Sequence, residues 1–102
     1  NQSTNTEDEI NSDVGYGIHL EQNYPNPFNP STYIEFYLPQ MTQVSLTLYN
    51  QIGQKITDVV DGKFLKGNQS LMLNLDNFPS GLYFYRLTTP ENSITKTMTI
   101  IK

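Results

Sequence analysis

Gln43-Val44-Ser45-Leu46-Thr47-Leu48-Tyr49-Asn50 sets Val44, Leu46 and Leu48 on alternate positions, with Ser45, Thr47 and Tyr49 between them. A period of two is the repeat of a strand with one buried face, because successive Cβ atoms point to opposite sides of the pleat. Upstream, Thr32–Leu38 repeats the pattern with Ile34, Phe36 and Leu38 inward and Tyr33, Glu35 and Tyr37 outward. Downstream, Gln69–Leu75 does the same with Leu71, Leu73 and Leu75. Lys55–Val60 reads as a weaker strand closed by Asp61-Gly62, a turn-favouring dipeptide because Gly accepts positive φ. Leu82–Thr88 is nearly continuous in large residues, which predicts a central strand covered on both faces. In Ile94–Ile101 the side chains of Ile94, Met98 and Ile100 share a face with Lys96, opposite Thr95, Thr97 and Thr99. A short strand near Ile18–Gln22 brings the total to about seven, and no long stretch carries a helical period. The expected fold is all-β: a seven-stranded immunoglobulin-like β-sandwich, mostly antiparallel.

The 102 residues are one domain's worth. Residues 1–17 are polar and carry Glu7, Asp8, Glu9 and Asp13, so they read as an acidic flexible linker, and 18–102 as the globular domain. The chain begins at Asn1, which is the expectation for a piece of a longer protein. Six Lys plus Arg against ten Asp plus Glu give a net charge of −4, and no basic run is available to neutralise a series of phosphates, which argues against nucleic acid. No apolar stretch approaches the roughly 20 residues of a membrane-spanning helix. With no cysteine, disulfides and thiolate ligands are excluded. A monomer that needs no metal or cofactor is expected.

Chemistry is sparse. The globular part offers His19, Glu21, Glu35, Asp58, Asp61, Asp76 and Glu91, most of them at turns or outward strand positions. His19 is the single histidine, which removes the usual nucleophile–base pair and any multi-histidine metal site. Gly15-Tyr16-Gly17 is a lone Gly-x-Gly with no helix after it, and so no phosphate loop. The residues therefore predict no enzyme. Tyr33, Tyr37 and Tyr49 would form a sugar-stacking platform if they shared an outward face, which keeps a carbohydrate-binding module open beside a structural or adhesive spacer.

The most specific segment is Tyr24-Pro25-Asn26-Pro27-Phe28-Asn29-Pro30. Its prolines fix φ and remove backbone donors, which predicts an extended, rigid lead-in to the Thr32 strand, anchored on the core's end by Tyr24 and Phe28. Farther on, Phe78-Pro79-Ser80-Gly81-Leu82-Tyr83 sets a Tyr at the start of a strand just after a Pro/Gly corner, where a phenol bonds back to upstream backbone. The last strand, at a sheet edge, would leave backbone groups that a receptor sheet extends.

The proline segment, Leu48-Tyr49-Asn50 with Gly53 three residues on, Pro79-Ser80-Gly81-Leu82-Tyr83-Phe84-Tyr85-Arg86-Leu87, and Lys96 through Ile100-Ile101-Lys102 occur in that order. Together they resemble the C-terminal sorting domain of type IX secretion substrates, over about Leu20 to Lys102. Related immunoglobulin-like domains of flagellar hook-capping proteins share parts of the pattern. The resemblance implies a domain at the C-terminus of a larger exported protein of Bacteroidota, fused to an N-terminal cargo. The resemblance further implies that the domain is recognised after periplasmic folding, carried through the outer-membrane translocon, and commonly removed by a surface sortase-like peptidase that can transfer the cargo to an anionic lipopolysaccharide, so that the cargo ends at the cell surface or in the medium. Carried onto this chain, the recognition end is Lys96, Ile100, Ile101 and Lys102, and the cleavage zone is the linker before Tyr24. Many members have adjacent basic residues in the last strand, whereas Thr97, Met98 and Thr99 follow Lys96 here.

Overall fold

Alternating apolar residues form a closed layer only when two sheets face each other, and the chain does this with seven strands. In the computed structural model, which describes residues 17–102, these are β1 (His19–Leu20), β2 (Ser31–Leu38), β3 (Thr42–Tyr49), β4 (Lys55–Phe64), β5 (Gly67–Asn74), β6 (Gly81–Thr88) and β7 (Ser93–Ile100). Every pairing is antiparallel. A three-stranded sheet runs β1, β2, β5, and a four-stranded sheet runs β4, β3, β6, β7. The chain crosses between sheets after β2, after β4 and after β5, which is the Greek-key path of an immunoglobulin-like sandwich with the fourth strand carried beside the third. The linker assigned to 1–17 lies outside the described residues except for Gly17.

The inward residues of the small sheet are Leu20, Ile34, Phe36, Leu38 and Leu73; those of the large sheet are Val44, Leu46, Leu48, Tyr83, Tyr85, Leu87, Met98 and Ile100. They form one buried cluster, as the alternating pattern requires. Phe64 adds an edge-to-face contact with Phe36, ring centroids 5.8 Å apart, at the open side of that layer.

Two local expectations are corrected. Asp61-Gly62 is not a turn: both residues pair with β3, Asp61 opposite Ser45 and Gly62 opposite Val44, and β4 runs on to Phe64. The apolar Phe64 draws the chain onward into the core, so the crossing to the small sheet falls at Leu65–Lys66. β6 is central, but only one of its faces is covered: Tyr83, Tyr85 and Leu87 are buried while Leu82 and Arg86 face solvent. Outward Phe84 and Arg86 instead lie opposite Tyr49 and Thr47 of β3, with the Arg86 guanidinium 5.4 Å from the centre of the Tyr49 ring.

Turn chemistry fixes one end of the sandwich. Between β3 and β4, Gly53 N–H donates to the Asn50 carbonyl (3.0 Å), and Asn50 Oδ1 accepts from the N–H groups of Ile52 (3.1 Å) and Gln54 (2.9 Å). Gly53 has φ of 88°, a left-handed conformation that a side chain disfavours. At the corner before β6 the Tyr83 hydroxyl donates to the Pro79 carbonyl at 2.7 Å, and its ring packs edge-on against Phe78. The corner tyrosine thus makes the backbone bond and is also a buried core aromatic. Tyr83→Phe removes that bond and leaves the ring, so it should lower stability by about 1 kcal/mol, read as a lower urea midpoint with unchanged slope.

Candidate functional site: the proline segment joined to the last strand

A chain leaving one β-ladder for another strands its backbone donors, and proline has none to strand. The segment before β2 makes such a transfer. It first continues along β2: Glu21 N–H donates to the Glu35 carbonyl (2.9 Å), and Tyr24 and Tyr33 exchange two bonds of 3.0 and 2.9 Å. After Tyr24 it bends through Pro25–Pro27 and comes alongside β7 of the other sheet. Phe28 N–H donates to the Thr99 carbonyl (3.0 Å), and Ile101 N–H donates to the Phe28 carbonyl (2.8 Å), making a parallel bridge between Phe28 and Ile100. Asn26 Oδ1 accepts the Thr99 N–H (3.0 Å), and Gln22 Nε2 donates to the Thr97 carbonyl (2.7 Å). Pro30 closes the run by accepting Leu75 N–H at 3.0 Å.

A buried polar cluster holds the bend. Asn23, only 2% exposed, donates through Nδ2 to the Pro25 carbonyl (3.1 Å) and to Thr32 Oγ1 (3.0 Å), and Thr32 Oγ1 donates to the same carbonyl (2.8 Å). Gln22 Nε2 also donates to Asn23 Oδ1 at 2.7 Å. From the inner face of β6, the Tyr85 hydroxyl donates to the Glu21 carbonyl (2.9 Å) and accepts Asn23 N–H (2.8 Å). One phenol therefore ties the large sheet to the strand that edges the small one. None of Asn23, Thr32 and Tyr85 stands out in the sequence as a site residue. The available signal is Thr32, a polar residue at a position the strand pattern turns inward, where a side chain needs partners; Asn23 carries no such signal.

The proline segment is thus a bent crossover and not an extended lead-in. All three of its X–Pro bonds are cis. Phe28 anchors it, 3% exposed, whereas Tyr24 is 78% exposed and anchors nothing by its ring. The edge of β7 is likewise not open along its length. Residues 22–28 cover it from Thr97 to Ile101, and among the described residues only the Ser93–Lys96 half lacks such cover.

Four separated sequence motifs meet at this end of the sandwich. The start of β2 after Pro30, the Gly53 turn, the Gly81–Tyr83 corner and the Ile100–Lys102 end are brought together by register, since Gly81 pairs with Ile100 and Phe84 with both Tyr49 and Thr97. Ile100 is buried under the crossover, while Ile101 and Lys102 are exposed. Lys102 N–H donates to Ser80 Oγ at 3.0 Å, and its ammonium donates to the Asp76 carbonyl. Lys96 is not part of this group. It pairs with Tyr85 in mid-strand, six residues from Lys102, or about 20 Å along a strand. Tyr33 and Tyr37 lie on β2 and Tyr49 on β3, in different sheets, so the condition for a three-tyrosine platform is not met. Among the described residues no group of His, Asp or Glu has the arrangement to hold a metal ion.

Burial pushes the Tyr85 phenol above its ordinary value of 10.0, the nearby Glu21 charge adds to the rise, and the Asn23 N–H opposes it. The neutral phenol is thus favoured in the folded state. Its contribution is complete below pH 10.0, and it is lost as pH rises from there through the folded value. Tyr85→Phe should leave Asn23 N–H and the Glu21 carbonyl unpaired, costing about 1–3 kcal/mol at neutral pH. The wild type should lose stability above about pH 10 more steeply than the variant, as read from denaturation midpoints across an alkaline series.

No curated protein matches the chain. Residues 22–102 match the secretion system C-terminal sorting domain. With that match taking in the proline segment, the corner tyrosine and the last strand, the chain belongs to the family of secretion system C-terminal sorting domains.

Proposed function

We propose that this domain is the signal by which a type IX secretion system carries an N-terminally attached cargo from the periplasm to the cell surface or the medium, and that the signal is read at the end of the sandwich where residues 22–30 meet residues 100–102. Membership of the family makes the domain a C-terminal sorting signal for type IX secretion, and the family is not one of enzymes. The observation that carries the finer reading is the bridge between Phe28 and Ile100, which joins the two most distinctive stretches of the sequence into one surface.

Within that surface the residues divide by role. Ile100 is buried and sets the position of the chain end; Ile101, 51% exposed, and Lys102 present side chains to a receptor. Backbone bonds from Ile101 to Phe28 and from Lys102 to Ser80 hold that end in one geometry, which limits the entropy lost on docking. Lys96 acts separately, from the half of the β7 edge that the crossover leaves open. A sortase-like peptidase would cut before His19, because Leu20 and Asn23 are built into the sandwich and the backbone there is already paired.

A folded reporter fused ahead of residues 1–102 should reach the surface or medium of a type IX-competent host. Lys96→Ala together with Lys102→Ala should change stability by less than about 1 kcal/mol, since Lys102 is exposed, Lys96 is half-buried and neither makes an ion pair among the described residues, yet leave the fusion in the periplasm. Equal export of the double variant would remove the lysines from the read surface. Failure of the intact fusion to export would contradict the proposal.

A further inference from the structure

The outer face of the small sheet carries an aromatic groove. Its volume is about 450 Å³, within the range of ligand sites, and Tyr24, Tyr33, Tyr37, Glu21, Glu35 and Asn68 line it. Register explains the arrangement. Tyr24 bridges Tyr33, Glu21 lies opposite Glu35, and His19 lies opposite Tyr37, so the one carboxylate row is flanked on both sides by aromatic rows. Tyr37 and His19 make a tilted ring pair with centroids 6.2 Å apart at one end. At the other end Tyr24 and Tyr33 are 78% and 51% exposed, and Met72, opposite Tyr33 on β5, is exposed beside them.

The two carboxylates set the chemistry of the ligand. Like charges directly opposite on neighbouring strands repel, and a cation placed between them removes the penalty. The chain supplies none: among the described residues the single ion pair joins Lys55 to Asp58 on the other sheet. Residues 1–16 contain no Lys or Arg. Aromatic faces attract a cation through their quadrupole, most strongly where neighbouring groups exclude water. A neutral sugar would also stack on such rings, but it would leave the repulsion between Glu21 and Glu35 unrelieved.

We propose that this groove binds a lysine or arginine side chain presented by an extended segment of another protein, with the cation held between the Glu21 and Glu35 carboxylates and the Tyr24, Tyr33 and Tyr37 rings. Gln22 and Tyr24 of the groove also belong to the 22–30 segment proposed for sorting, so the two readings are told apart by their variants: Glu21 and Glu35 lie outside that segment, as do Lys96 and Lys102.

Titration of the whole chain with the blocked peptide Gly-Lys-Gly-Lys-Gly, followed through the tyrosine ring resonances, tests the assignment. The rings of Tyr24, Tyr33 and Tyr37 should shift while that of Tyr49 stays unmoved. The same peptide with Gln for Lys should cause no shift, and raising salt from about 20 to about 500 mM should abolish binding. Glu21→Gln with Glu35→Gln should weaken binding by about fivefold or more. Relief of the like-charge pair should also raise the thermal midpoint of the free protein by about 1–4 °C at low salt, a readout that reports folding of the variant as well. Absence of shifts with the lysine peptide, shifts unaffected by the glutamine variant, or equal shifts with the uncharged peptide would each overturn the proposal. Shifts produced by cellohexaose in place of the lysine peptide would overturn it in favour of sugar stacking.

Discussion

The structure depends on a crossover. A segment that begins as the edge partner of the small sheet must end as the edge partner of the large one, and every polar group it strands on the way has to be met elsewhere. Pro25, Pro27 and Pro30 remove three donors from the problem. Asn23, Thr32 and Tyr85 satisfy most of what remains, and Phe28 fills the apolar gap above Ile100. Without the crossover, the two sheets would share an apolar core but would have one open side.

That constraint changes how the end of the chain is to be understood. A last strand on a sheet edge is ordinarily a row of unpaired groups and a hazard for uncontrolled pairing. Here the chain's own N-terminal segment occupies the half of the edge nearest the terminus, so Ile101 and Lys102 project from an ordered platform. The arrangement also joins the two ends of the domain. Cargo would attach ahead of β1, and the segment that follows β1 touches the strand that leads to the end proposed for recognition. On the proposal made above, a receptor that grips this surface would contact residues from both the 22–30 segment and the 100–102 end, and would thereby distinguish the folded domain from an unfolded tail of the same sequence.

How much of this was legible in the sequence follows from the range of each interaction. Val44, Leu46 and Leu48, or Ile34, Phe36 and Leu38, announce their strands because a period of two is a local property and their burial depends on nothing but a face. Tyr83 is legible for a similar reason: its acceptor, Pro79, is four residues away. Asn23 and Tyr85 were not, because their bond spans 62 positions and neither residue type is unusual in isolation. Asp61-Gly62 misled because a turn dipeptide is only permissive, and the paired β3 strand beside it imposed an extended backbone. The proline segment is visibly special in the sequence, but its path is not, because which edge it covers depends on the sheet order, a tertiary fact.

The claim that the crossover and the last strand form one structural unit is tested most directly by native-state amide exchange at Phe28, Thr99 and Ile101. These three N–H groups make the bonds across the junction. If the account is right, their protection approaches that of the β6–β7 ladder and falls at all three together when Asn26 is changed to Ala, although the ladder itself stays protected. Exchange of Ile101 and Phe28 at the rate of an unstructured chain, with the β6–β7 ladder intact, would show that the junction is not formed in solution and would contradict the account.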